Sequence, residues 1–233
     1  MTSGPQDELS QPGTNHATCW DVIHGAANGD PVARAAFGRT YQPLIRTILA
    51  ARWSGGRHTA DVDDAVQEVF LECFRVDGPL ACVDDDRSDF RSFLFAIVRN
   101  VALRVEERGR QHRHNAADLD GLQSDDEELS RTFDREWAQL MMREAGSLMQ
   151  TRALASGAGA RMRVELLRLR FAQDLPLREI AAQWEMAPEA VHRAYAKARD
   201  EFRSCLRAVV LTQAVCSEEA LDAECRKLID LLG

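Results

Sequence analysis

A chain of 233 residues with 45% hydrophobic content can hold one or two domains with ordinary cores. It has no apolar run near the ~20 residues that span a bilayer, and its six cysteines form no CxxC pair, which argues against a disulfide framework. A net charge of −8 opposes nucleic-acid binding by the molecule as a whole, but the charge is arranged in blocks.

Residues 61–90 carry ten acids and two bases, and residues 91–115 carry six Arg and two acids. Residues 116–150 return to nine acids and three Arg, and residues 161–207 hold ten bases and seven acids. Local fields therefore decide which partners each block can take. Of the 29 bases, 27 are Arg. The guanidinium fork suits phosphates and base edges, and a GC-rich genome gives the same bias, so both readings stand.

Apolar spacing is helical throughout, with no period-two strand pattern and no internal repeat. The expected fold class is all-α: two small helical domains joined by a partly helical linker. Residues 1–17 are polar, lack the order of a signal peptide and read as a disordered lead, which places the protein in the cytoplasm. Thr18 can cap a helix to Asn28 with Trp20, Ile23 and Ala27 inward. Gly29, Asp30 and Pro31 then supply a stop, an N-cap and a first-turn proline. The next helix runs to Trp53, burying Phe37, Tyr41, Leu44, Ile45, Ile48 and Leu49, with Pro43 as a kink position.

A third helix buries Val62, Ala65, Val66, Val69, Phe70 and Cys73. A loop covers 76–89. A fourth helix, capped by Ser88 or Asp89, turns Phe93, Leu94, Ile97 and Val101 inward. Residues 18–113 form the first domain. Residues 114–160 are the linker, acidic at its start, with a helix from Glu128 to Leu154 that aligns Leu129, Phe133, Trp137, Leu140 and Met141. Residues 161–207 form the second domain, with helices at 161–172, 176–184 and 188–207. Two short helices meeting at a tight turn read as helix-turn-helix, and a plain three-helix bundle has a similar pattern. A helical extension occupies 208–233.

Two adjacent segments carry the chemistry. Asp61, Asp64, Glu68 and Glu72 recur at helical spacing, with Gln67 and Leu71 beside them. Such a stripe is ordinarily a solvated face, but Leu71 adds an apolar contact within it. Exposed ion pairs contribute only about 0–1 kcal/mol each, so the stripe would orient a basic protein partner while apolar contacts supply affinity. On the fourth helix Phe90, Arg91, Phe95, Arg99, Asn100, Arg104 and Arg108 combine aromatics with cations. That suits unpaired bases, whose stacking contributes about 1–3 kcal/mol each; for Phe90 and Phe95, core packing is an equal alternative. In the last helix of the second domain Glu189, His192, Arg193, Ala196 and Lys197 point away from Val191 and Tyr195 and can face a major groove. Arg178 can hold a phosphate. A chain with both kinds of surface reads as an adaptor between a protein machine and DNA.

The histidines have no Cys or carboxylate at ligand spacing, and no phosphate loop or nucleophile elbow occurs. Neither an enzyme activity, a metal nor a cofactor is expected.

In this order the pieces resemble the extracytoplasmic-function (ECF) group of bacterial RNA polymerase sigma factors. DVDDAVQEVFLECF is similar to the family's D-x-E-D-x-V-Q-E-V-F segment, which docks on core polymerase. FRSFLFAIVRNVAL is similar to F-R-x-W-L-Y-x-I-A-R-N, which opens the −10 element and holds its bases. LPLREIAAQWEMAPEAVHRAYAKAR is similar to the −35-reading helix-turn-helix. The resemblance covers 30–113 and 161–207. It departs at Phe93 and Phe95, which replace Trp and Tyr. It departs again at Glu185, where the turn often has Gly, and at His192-Arg193-Ala194, which replace a Lys-Ser-Arg set.

The resemblance implies a transcription initiation factor that binds core RNA polymerase, directs it to promoters and melts the −10 element, with an anti-sigma factor as a further partner and no membrane. It assigns the acidic stripe to polymerase, the fourth-helix set to the −10 strand, the loop 76–89 to −10 specificity, and Arg178 with the last-helix set to the −35 duplex. The alternative is a helix-turn-helix regulator that never touches polymerase. A third reading makes Cys205, Cys216 and Cys225 a redox or metal switch, against which stands their place on amphipathic helices.

Overall fold

The computed structural model describes residues 19–75, 78, 80, 90–111, 121–212 and 217–232. Thr18, Ser88, Asp89, Arg113, Cys82, Cys216, most of the loop 76–89 and the start of the linker lie outside the described residues.

The fold is all-α, with no strand among the described residues. Helix α1 (Cys19–Ala27) is followed by α2 (Pro31–Arg52), a 3-10 turn (Arg57–Asp61) and α3 (Val62–Cys73). Then come α4 (Phe90–Gln111), α5 (Gly121–Ser156) and α6 (Ala158–Ala172). The chain ends in α7 (Leu177–Gln183), α8 (Pro188–Leu211) and α9 (Glu218–Asp230). No described helix is long and apolar enough to cross a membrane.

The α1–α2 corner is built as its residues dictate. Gly29 takes φ +89°, a conformation that costs a side chain, and the Asp30 carboxylate accepts from the Val32 N–H at 2.9 Å with Pro31 opening the helix. Helix α2 continues through Pro43 and buries all six residues expected of it. In α1 the inner face is Trp20, Ile23 and Ala26, with Ala27 only partly covered.

Helix α5 is longer than the sequence suggests, beginning at Gly121, and it is a core element rather than a tether. Its Leu129, Phe133, Trp137, Leu140 and Met141 share one hydrophobic core with α1–α4, the C-terminal half of α8 and α9. A separate small core of Leu166, Leu169, Ile180, Ala181 and Val191 holds α6, α7 and the start of α8 together. Between α5 and α6 a single residue, Gly157 at φ +98°, breaks the helix. Cys205 and Cys225 are buried in the main core, and burial pushes the Cys205 thiol up, with Arg152 opposing it.

One charged cluster is set into this apolar frame. The Arg52 side chain, 3% exposed, donates to Glu106 at 2.6 and 3.0 Å, and the Trp53 indole N–H donates to the same carboxylate at 2.9 Å. Arg52 also lies 3.7 Å from Asp126 at the start of α5. Burial pushes the Glu106 carboxyl up, but hydrogen bonds from Arg52 and Trp53 and the charges of Arg52 and His58 outweigh it and hold the group below its usual range.

A carboxylate depressed in the folded state contributes stability above its unfolded value, about 4.3 for Glu, and that contribution is lost as pH falls through the folded value. Glu106→Gln should therefore cost about 2–4 kcal/mol at pH 7, as expected for stranding a buried guanidinium. Urea denaturation at pH 7 and pH 4 should show the gap between wild type and variant narrowing at the lower pH.

The turn between α7 and α8 keeps a tight form although it lacks glycine. Glu185 sits at φ +53°, with Met186 N–H donating to the Ala181 carbonyl at 3.0 Å. A left-handed conformation costs a non-glycine residue about 1–2 kcal/mol, part of which the freer unfolded chain of a glycine variant offsets. Glu185→Gly should stabilise the protein by about 0.5–1 kcal/mol, read as a higher thermal midpoint, whereas Glu185→Ala should not.

Candidate functional site

The acidic stripe is largely on the surface, as its spacing requires. Asp64 and Gln67 are exposed on α3, and Leu71 is 72% exposed. Asp61 closes the 3-10 turn, its carboxylate 2.8 Å from His58 Nδ1. The two remaining members are occupied within the chain. Glu68 pairs with Arg108 and lies 3.5 Å from Arg104, and Glu72 lies 3.6 Å from Arg104 and 3.5 Å from Arg75. Two bases expected to grip phosphates are thus paired with two acids expected to meet a protein.

On helix α4 the two readings of Phe90 are decided for the core, against its place in the strand-binding set. Phe90 is fully buried. Its ring centroid lies 5.2 Å from Tyr41 and 6.1–6.3 Å from Trp20, Phe37, Phe93 and Trp137. No ring face is left for a base. The inner stripe is Phe90, Leu94, Ile97, Val98, Val101 and Ala102, whereas Phe93, expected inside, is only partly covered. The helical interval from 90 to 94 to 97 to 101 carried this information, since Phe90 continues the aliphatic row and Phe93 stands beside it.

The other α4 candidates form a second row at Arg91, Phe95 and Arg99, one helical turn apart. Each meets α5. Arg91 pairs with Asp134 and lies 3.4 Å from Glu224 of α9, leaving its side chain 14% exposed. Phe95 meets Phe133 edge-on, centroids 5.1 Å apart. Arg99 Nε donates to Asp126 at 3.0 Å. Asn100 is exposed. Local spacing carries no cue to these partners, because each lies more than 25 residues away along the chain.

On the α7–α8 pair, Arg178, Glu189, His192, Arg193, Ala196 and Lys197 are all exposed. They lie on the first turns of α7 and the first three turns of α8, opposite Ile180, Ala181 and Val191. Among the described residues Arg178 makes one ion pair, with Glu179 at 4.0 Å. His192, Arg193 and Lys197 carry no ion pair among the described residues, so this face is free to take a partner.

The described residues hold no group of three or more His, Cys, Asp or Glu arranged for a metal ion. Cys73, a buried thiol, is pushed up to about 12 by burial and by neighbouring Glu72, and is unreactive at neutral pH.

Phe90→Ala should cost about 3–5 kcal/mol of stability, whereas Phe95→Ala, which removes a partly buried ring in edge contact with Phe133, should cost less, about 1–2 kcal/mol. Chemical denaturation of the two variants checks the distinction.

Residues 38–113 match the family model for sigma-70 region 2. The match spans α2 from Gly38, all of α3 and α4, and so both rows described above. It supports a sigma-70 family factor with a role in transcription initiation; that domain in general binds core RNA polymerase and promoter DNA, and the family is in general not enzymatic. No curated protein matches the chain.

Proposed function

We propose that this chain is a sigma factor of the ECF group that works in the cytoplasm, carries core RNA polymerase to specific promoters and melts their −10 element. The observation that carries the reading is the region 2 match over 38–113 together with the exposed Asp64, Gln67 and Leu71 that it contains. In this reading α3 docks on polymerase, with Asp61, Glu68 and Glu72 adding charge at its edges. Arg91, Phe95, Arg99, Asn100, Arg104 and Arg108 serve the melted strand. The α7–α8 pair acts as a helix-turn-helix on the −35 duplex through Arg178, Glu189, His192, Arg193, Ala196 and Lys197.

The division of labour is physical. A docked second domain raises the local concentration of the first at the −10 element. Stacking and phosphate contacts along α4 then offset part of the unpairing cost, a few kcal/mol per extruded base. No covalent step is required of the chain. An anti-sigma partner fits the same reading, and the α7–α8 face or α9 would offer it a surface.

The test is binding and run-off initiation with purified core polymerase. Asp64→Arg combined with Leu71→Asp should abolish co-purification with core enzyme and reduce initiation at least tenfold, with a thermal midpoint lowered only by the ~0.3–1 kcal/mol that a charge reversal in the first turn of α3 costs, because both side chains are exposed and carry no ion pair among the described residues. Full activity of that variant would remove α3 from the polymerase interface. Failure of the wild-type chain to bind core enzyme, with stable binding to duplex DNA alone, would favour a regulator that acts without polymerase.

A further inference from the structure

The candidate strand-binding row of α4 is already covered, position by position, by the protein itself. Arg91, Phe95 and Arg99 stand at successive turns, and α5 runs past them in the opposite direction: Asp134 faces Arg91, Phe133 faces Phe95 and Asp126 faces Arg99. Residues 126, 133 and 134 share one face of α5. A second acid, Glu224 of α9, reaches Arg91 from the C-terminal end. The chemistry offered to the row is that of a single strand in miniature, two carboxylates in place of phosphates and an aromatic ring in place of a base. Arg52 of α2 lies 3.7 Å from Asp126.

We propose that the acidic edge of α5, with Glu224 of α9, is an intrachain competitor that closes the strand-binding row in the free protein, an inference that rests on the assignment of that row to the −10 strand. Both cannot occupy Arg91, Phe95 and Arg99 at once. The strand is bound only when the contacts of Asp126, Phe133 and Asp134 with this row open, so any partner that draws α5 or α9 aside raises affinity for the strand. Free protein is thereby kept from non-specific single strands, which its Arg-rich row would otherwise attract.

The test uses the full-length chain and a fluorescent 20-nucleotide single-stranded DNA of random sequence. Asp126→Asn, Asp134→Asn and Glu224→Gln are combined in one variant, and a charge-matched control neutralises the exposed Glu144, Glu219 and Asp230. The triple variant should bind about tenfold more tightly than wild type, and the control should change less than twofold. Equal affinity of triple variant and wild type, or an equal gain in the control, overturns the competitor. In that case loss of run-off initiation by Arg91→Ala with Arg99→Ala still upholds the strand-binding row. If the triple variant shows no strand binding and the two-alanine variant initiates normally, both the competitor and the row fall. Should the triple variant melt well below wild type, Asp126→Asn alone carries the test, with a gain of two- to threefold expected and no gain overturning the proposal.

Discussion

The buried guanidinium of Arg52 fixes more of this molecule than any apolar contact does. A guanidinium cannot shed its proton to escape burial, so the chain must bring counter-charge to it. Glu106 arrives from the far end of α4 and Asp126 from the start of α5, and the Trp53 indole completes the Glu106 carboxylate. Three helices are registered against one another at this point. The apolar surfaces of α2, α4 and α5 could slide by a turn at modest cost, since aliphatic packing is non-directional. A two-bonded guanidinium–carboxylate pair could not.

That registration decides what the outer rows present. With Glu106 held against Arg52, the opposite end of α4 places Phe90 in the aromatic cluster, and the row 91–95–99 is turned toward α5. With Asp126 anchored beside Arg52, α5 starts where its Asp126, Phe133 and Asp134 fall on that row. The same placement of α4 brings Arg104 and Arg108 over Glu68 and Glu72 of α3. Of the candidate residues in the matched domain, those that are exposed and outside any ion pair among the described residues are therefore Asp64, Gln67, Leu71 and Asn100, a smaller set than a residue count of acids and bases would indicate.

The parts of this arrangement legible in the sequence are those governed by local periodicity. The buried row of α2, that of α3 save for Phe70, which is only partly covered, the Gly29-Asp30-Pro31 corner and the inward face of α5 follow from spacing and from the conformational limits of Gly and Pro. What spacing does not carry is pairing over long separations. Arg52 and Glu106 are 54 positions apart, Arg91 and Glu224 are 133 apart, and nothing in either local pattern marks one as the other's partner. Phe90 lies between the two cases. Its place on the Leu94–Ile97–Val101 row was readable, but an aromatic next to an arginine reads equally well as a stacking platform. Only the rings of Tyr41 and Trp137, brought from α2 and α5, decide for the core.

The interleaving of acids and bases along the chain now has a structural meaning. An alternation of charged blocks in sequence becomes, once helices pack antiparallel, a set of facing rows of opposite sign. Rows of that kind contribute little to stability where solvent reaches them, so they are poor at holding a fold together and well suited to being exchanged. Arg99 is 40% exposed and Asp126 27%, which leaves their pairing open to screening and to competition. Arg52 and Glu106, at 3% and 16%, are not. The graded exposure along one ladder of charges separates a permanent joint at the base of α4 from an exchangeable one further along it. The Arg52–Glu106 joint between α2 and α4 can hold while the Arg99–Asp126 pairing between α4 and α5 is exchanged.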